Sequence, residues 1–136
     1  MAAVSDLDAL IAGLDASSDR TPYLFCSVPA SPWPPAVPDG VEPVAVVAED
    51  EGFTLVVPAG QAEAAGLDAD RDFVAGRVTL QVHSDLAAVG LTAHVSRVLA
   101  EAGISANVVA GRFHDHVFVP FDRLDEALDL LGGTGS

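Results

Sequence analysis

Residues 77–120 carry the pattern that most restricts how this chain can fold. Apolar and polar residues alternate over 77–83, which predicts a strand with one buried face. A loop of mostly small residues then leads to Gly90, and an amphipathic helix follows it and ends near Gly103. The apolar stripe of that helix recurs at helical spacing and consists of Leu91, Val95, Val98, Leu99 and Ala102. The pattern therefore predicts a strand followed by a helix that packs on it.

The residues after this helix predict two more strands and a final helix. The strands lie at 107–110 and 117–119, joined by a turn over 111–115. Pro120 ends the second strand, and Asp122 is the predicted N-cap of the last helix. The apolar face of that helix consists of Leu124, Ala127, Leu128 and Leu131. The second half of the chain thus has the order β-α-β-β-α.

The first half repeats this order except for one element. A strand is predicted at 23–28, and the proline-rich stretch 29–40 follows it as an extended crossover, with Trp33 covering apolar surface. Strands at 43–48 and 53–57 form a hairpin, and a short helix follows at 58–67. The crossover stands where the second half has its helix.

The two halves together predict an α+β protein made of two ferredoxin-like βαββα-type halves, with an antiparallel sheet and helices on one face. A further helix is predicted over 5–15, where Leu7, Leu10, Ile11 and Leu14 form a stripe. We divide the chain into an N-terminal helix region, a first half, a second half and a tail, at residues 1–20, 21–70, 71–133 and 134–136.

The charge of the chain excludes several classes of partner. The chain has twenty acidic residues, six arginines and no lysine, which gives a net charge of −14. Such a chain lacks the basic surface that nucleic acids or anionic membranes require, so neither is an expected partner. No apolar run approaches the roughly 20 residues of a membrane-spanning helix, and the acidic start does not resemble a signal peptide. We expect a cytoplasmic protein.

Few side chains suit catalysis. Cys26 lies in a predicted strand with no cationic residue near it in sequence, which favours a buried thiol over a nucleophile. His114, Asp115 and His116 could ligate a metal ion or act as an acid–base pair. We expect His114 and His116 to point to opposite faces if the segment is extended, unless the turn changes this, and no Glu or Cys nearby completes a ligand set. The residues therefore favour a hydrogen-bonded turn, with no metal and no cofactor.

The loop that ends at Gly90 suits a small zwitterion. Free N–H groups at a helix start bind a carboxylate, and Gly90 permits its close approach. Asp85 can pair with an ammonium group, and Asn107 can both donate and accept. The alternative is that Asp85 caps a turn and that Asn107 bonds its own backbone.

Three segments of the second half resemble ACT domains. They are residues 77–84 (RVTLQVHS), 88–92 (AVGLT) and 102–108 (AGISANV), followed by the turn at 111–120. They are especially similar to stand-alone bacterial ACT proteins of this length that are predicted to bind amino acids. The resemblance is strong over 77–131 and weaker over 22–66, where the helix of the usual repeat is missing.

This resemblance implies two ACT-like halves side by side in a continuous sheet. In related domains a free amino acid binds between the strand-to-helix loop of one repeat and the edge of a neighbouring one. The positions of this chain that match the motif, and are implied to touch the ligand, are Asp85, Val89, Gly90, Leu91 and Asn107.

We therefore expect a non-catalytic regulatory module that binds a small molecule, most simply an amino acid. A homodimer is expected because exposed sheet edges need a partner or protection. Two alternatives remain open. One is a ligand-free interaction module whose partner docks on the proline-rich crossover or a sheet edge, and the other is a metal-dependent hydrolase that uses the His-Asp-His turn.

Overall fold

The computed structural model describes residues 14–81 and 90–132. The described strands and helices are, in chain order, β1 Ala16–Ser17, β2 Pro22–Pro29, β3 Ala45–Glu49, β4 Gly52–Pro58, α1 Ala59–Ala65, β5 Asp68–Leu80, α2 Leu91–Glu101, β6 Asn107–Ala110, β7 Asp115–Pro120 and α3 Leu124–Leu130, with a 3-10 turn at Phe121–Arg123 before α3. The described residues divide into two compact units, one of residues 21–75 and one of residues 14–20 with 76–81 and 90–132.

The first unit is a three-stranded antiparallel arrangement with a helix packed on it. β4 lies between β2 and β3. Leu55 of β4 is opposite Cys26 of β2 on one side and opposite Val46 of β3 on the other. Alternate residues of these strands point into one core, and α1 adds Ala62 to it. Its buried members are Leu24, Cys26, Val28, Val41, Phe53, Leu55, Val57, Ala62 and Leu67. The connection 30–44 contains no helix or strand, as the five prolines over 29–38 predict.

The second unit packs α2 and α3 against strands. β6 and β7 form an antiparallel hairpin in which Asn107 lies opposite Phe118. The predicted stripe of α2 is buried at Leu91, Val95 and Leu99. The core also takes Val117 and Val119 from β7, and Leu124, Ala127, Leu128 and Leu131 from the C-terminal helix region. The strand at 107–110 is confirmed with the predicted bounds.

Residues 14–20 belong to the second unit. β1 pairs with the end of β5, with Ala16 opposite Leu80, and Ala16 is completely buried. Two ion pairs lie beside this pairing: Arg20 to Asp125 at 2.5 Å and Arg77 to Asp19 at 3.0 Å. The helix predicted over 5–15 lies outside the described residues except for 14 and 15, which are not helical.

β5 is longer than the sequence indicates. The predicted charged break at 68–72 is the beginning of one strand that runs from Asp68 to Leu80. Asp68, Asp70, Arg71 and Asp72 keep their side chains exposed, so their charges do not interrupt the backbone pairing. Residues 82 and 83, the end of the predicted strand, lie outside the described part of the chain.

The last helix begins later than predicted. Asp122 is not its N-cap, because it lies inside the 3-10 turn Phe121–Arg123, and α3 starts at Leu124 after Arg123. The C-terminal tail 134–136 lies outside the described residues.

Candidate functional site

The start of α2 is an uncapped helix N-terminus. Gly90 is its N-cap residue and has a φ of 99°, in the left-handed region that favours glycine. Having no side chain, Gly90 cannot cap the first N–H groups, and the first turn carries no acidic residue. The Gly90 carbonyl accepts a hydrogen bond from the His94 amide at 2.9 Å. The helix start thus has the character of an anion-binding terminus.

Leu91 fixes this helix start in place. Its side chain is 3% exposed and belongs to the core of the second unit. Leu91 can therefore meet a ligand only through its backbone. The other two residues of the predicted loop site, Asp85 and Val89, lie outside the described residues.

Asn107 is the first residue of β6, the strand that follows α2 in the sequence. Its side chain is exposed, and the residue is paired through the backbone with Phe118. Five residues separate it from Glu101, where α2 ends. Gly103, with a φ of 73°, and Ile104, whose amide donates to the Leu99 carbonyl at 2.9 Å, close that end of the helix.

The His-Asp-His turn brings its two histidine rings together. The rings of His114 and His116 lie 6.4 Å apart, edge to face, so the prediction that they point to opposite sides is wrong, because residues two apart in an extended strand share one face. His114 precedes β7, and its carbonyl accepts a hydrogen bond from the Gly111 amide at 2.9 Å. The turn needs glycine at 111, since a Cβ there would lie 2.9 Å from that same carbonyl oxygen.

The contacts of the two histidines are those of a packed turn. Nδ1 of His116 lies 3.3 Å from the Thr79 hydroxyl on β5. Burial lowers the pKa of His116, the positive charges of Arg77 and His114 lower it further, and Asp115 opposes the shift. Nδ1 of His114 is buried without a hydrogen-bond partner among the described residues. Over residues 14–81 and 90–132, no group of three or more His, Cys, Asp or Glu could hold a metal ion.

Cys26 is a core residue, as predicted. The thiol is completely buried, and burial raises its pKa, with Arg71 opposing and Asp68 adding to the shift. A protonated, buried thiol is a poor nucleophile.

One feature of the first unit had no signal in the sequence pattern. A small cleft of about 60 Å³ lies at the β3–β4 hairpin and is lined by Ser27, Val28, Glu49, Glu51, Gly52, Phe53 and Thr54. Trp33 contacts Phe53 edge to face at 5.7 Å, as the crossover prediction requires, yet its indole stays 67% exposed. Only the register of β2, β3 and β4 brings these residues together, and that register is not readable from local patterns.

Two family models match the chain in tandem. Residues 2–75 match one model of the ACT domain, and residues 74–132 match a second one. No curated protein matches the chain in sequence. None of the described helices is long and apolar enough to cross a membrane.

Solved structures share the fold over nearly the whole chain. A protein of unknown function from Vibrio cholerae, described as a possible transport protein, is 40% identical, with a TM-score of 0.81 and 96% of each chain covered. An Agrobacterium tumefaciens protein is 20% identical, with a TM-score of 0.66 over 88% of this chain and 87% of that one. The regulatory subunit of aspartate kinase from Thermus thermophilus is 11% identical, with a TM-score of 0.56 over 86% of this chain and 94% of that one. The predicted fold class, an α+β protein of two ACT-like halves, is confirmed.

Proposed function

This chain belongs to the ACT-domain family, with two such domains in tandem, and from that premise we propose that it is a non-catalytic regulatory module that binds a free amino acid. Domains of this family typically bind amino acids in regulatory roles. Structures with the same fold include the regulatory subunit of aspartate kinase. The proposed ligand-binding residues are Asp85, Val89, Gly90, Leu91 and Asn107.

The observation that carries the proposal is the uncapped start of α2. An α-carboxylate accepts hydrogen bonds from the first-turn N–H groups and interacts favourably with the positive end of the helix dipole. Gly90 holds this helix start at a φ of 99°, a left-handed conformation in which a residue with a Cβ would be strained. Asp85 pairs with the ligand ammonium, a charge-assisted bond worth about 1.5–3 kcal/mol.

The proposed site is completed by a second chain. An 11-residue helix is about 16 Å long, and Asn107 follows the end of α2 that lies opposite Gly90. One small zwitterion does not bridge that length, so within the proposal Gly90 comes from one chain and Asn107 from its partner in a homodimer. Ligand binding then stabilises the dimer, because it occurs only in the assembled state.

Thermal unfolding of the full chain against each of the twenty amino acids tests the proposal. A ligand present at 100 times its dissociation constant stabilises the folded state by about 2.7 kcal/mol, which gives a clear rise in Tm. Asp85→Asn is expected to weaken binding by roughly tenfold to a hundredfold, the equivalent of the lost charge-assisted bond.

Asn107→Ala is expected to weaken binding without changing stability, because the side chain is exposed. Ser105→Ala is its matched control, since Ser105 is an exposed residue just before β6 and is not in the proposed site. No Tm rise with any amino acid at millimolar concentration would contradict the proposal.

A further inference from the structure

We propose that the ligand of the amino-acid site is an acidic amino acid, glutamate or aspartate, whose side-chain carboxylate binds His116 beside Asn107. This inference rests on the proposed function and adds the class of ligand to it. In the proposed site, the chain that supplies Gly90 takes both charged groups of the ligand backbone. The chain that supplies Asn107 therefore meets the ligand side chain, and the residues around Asn107 select it.

Strand alternation places Asn107 and His116 on the same side of the β6–β7 hairpin. Val117 and Val119 belong to the core that includes residues of α2 and α3, so Phe118 between them points to the other side. Asn107 lies opposite Phe118 in the strand register and therefore shares that side. His116, two residues before Phe118, points to it as well. The two polar side chains thus share a face that is turned away from the helical core.

His116 is close enough to Asn107 for one amino acid to contact both. His116 lies opposite Val109, and Asn107 lies two residues before Val109 in β6, so Asn107 and His116 are diagonal neighbours across the hairpin. Such neighbours are about 7–8 Å apart. The γ-carboxylate of glutamate lies about 5 Å from its Cα, and a hydrogen bond adds about 3 Å. A glutamate whose Cα lies beside Asn107 therefore reaches His116.

Basic side chains gather around His116. The Thr79 hydroxyl of β5 lies 3.3 Å from Nδ1 of His116, which makes Nε2 the ring nitrogen that binds the carboxylate. The His114 ring lies 6.4 Å from the His116 ring, and Arg77 lies two residues before Thr79 on the same side of β5. We call Arg77, Thr79, His114 and His116 the basic face. The chain has only six arginines and four histidines, so three of these ten side chains on one face make it a local site for an anion.

The electrostatics of the basic face favour a bound carboxylate. Burial lowers the pKa of His116, the positive charges of Arg77 and His114 lower it further, and Asp115 opposes the shift. The two positive groups that oppose a proton on His116 attract an anion at the same position. Asp115 does not take that position, because alternation turns its side chain to the opposite side of β7. Asp19 pairs with Arg77 at 3.0 Å.

Calorimetry with the full chain tests the class of ligand. Glutamate and glutamine have the same size, as do aspartate and asparagine, and each pair differs in the charge of the side chain. We expect glutamate to bind at least tenfold more tightly than glutamine, because a hydrogen bond to a charged group is stronger than a neutral one. Glutarate has both carboxylates but no ammonium group, so we expect it to bind at least tenfold more weakly than glutamate.

Matched variants test whether the basic face causes this preference. His116→Gln is expected to reduce the preference for glutamate over glutamine to less than threefold, because an amide cannot carry a positive charge. Arg112→Gln is the control, since Arg112 is an exposed residue of the same hairpin whose guanidinium lies over the Phe113 ring at 5.4 Å. It is expected to change the preference less than twofold. Equal losses in both variants would overturn the inference, and so would an unchanged preference in His116→Gln.

NMR titration of the unsubstituted chain tests the same contact without a variant. Saturating glutamate is expected to raise the pKa of His116, followed by its ring resonances, because a bound carboxylate favours the protonated ring. Saturating glutamine is expected to leave this pKa unchanged. An unchanged pKa in the presence of bound glutamate would overturn the inference.

The outcomes separate this inference from the proposed function. If another amino acid binds, and glutamate and aspartate bind no more tightly than their amides, the inference is wrong and the proposed function stands. If glutarate binds as tightly as glutamate, the site takes a dicarboxylate, and both are wrong. If no amino acid binds at millimolar concentration, both are wrong as well.

Discussion

Single residues of this chain are constrained most where the backbone passes close to another strand. Gly52 begins β4 opposite Pro29 and has a φ of 147°. A Cβ at this position would lie 2.4 Å from the Val28 carbonyl oxygen, too close for any real contact. The backbone there cannot move away easily, because β4 is paired on both sides. Gly52 is therefore required by the structure of the β3–β4 hairpin.

Gly52→Ala is expected to lower the free energy of unfolding by about 2–3 kcal/mol, through the steric overlap and the strained φ. Gly60→Ala is the matched control. Gly60 lies in α1 with nothing within 4 Å of an added Cβ, so alanine there stabilises by about 0.5–1 kcal/mol. Urea unfolding measures both variants. A Gly52→Ala variant as stable as the parent would contradict the close approach.

His116 makes stability depend on pH. Its folded pKa is lowered, first by burial and then by Arg77 and His114, whereas an unfolded histidine titrates near about 6.5. Below about pH 6.5 the unfolded chain therefore binds more protons, and stability falls as pH falls through this range. Urea unfolding between pH 7 and pH 5 is expected to show a smaller decline for His116→Gln than for the parent. Identical slopes would mean that His116 does not contribute.

Helices and strands are predictable from the sequence where the periodicity of apolar side chains agrees with their burial. The stripe of α2 and the strand at 107–110 are predictable, because each buries one face of a regular element. The first residues of β5 are not predictable as a strand, since their charged side chains remain exposed and only backbone pairing makes them part of it. The approach of His114 to His116 agrees with strand alternation, which places residues two apart on the same face. The sequence indicates the helix start at Gly90, but not the cleft at the β3–β4 hairpin, which depends on the strand register.

β1 shows how a very short element can carry core packing. It has two residues, yet Ala16 is completely buried among the residues of the second core. Ala16→Leu is expected to destabilise the protein by about 1–3 kcal/mol, because added methyl groups find no space. Ala100→Leu on the exposed side of α2 is the control and is expected to stay within about 0.5 kcal/mol of the parent. Equal effects would show that β1 is not part of the core.

If the protein is a dimer, its two copies associate despite the repulsion between their net negative charges. With a net charge of −14, two copies repel each other, and this repulsion is reduced by salt. An amino acid bound between Gly90 of one chain and Asn107 of the other would add contacts that exist only in the dimer. Ligand binding and assembly would then be linked, which gives a regulatory module two states that an amino acid can shift.

A complementation experiment tests this arrangement. Asp85→Asn and Asn107→Ala each weaken both sites of a homodimer, but a mixed dimer of the two variants has one site with both residues intact. Co-expression with two different tags isolates the mixed dimer, in which half of the sites regain the parent's affinity. Random mixing without isolation restores about a quarter of the sites, since about half of the dimers are mixed. Calorimetry counts the sites, and a mixed dimer with no restored site would place Asp85 and Asn107 in the same chain's site.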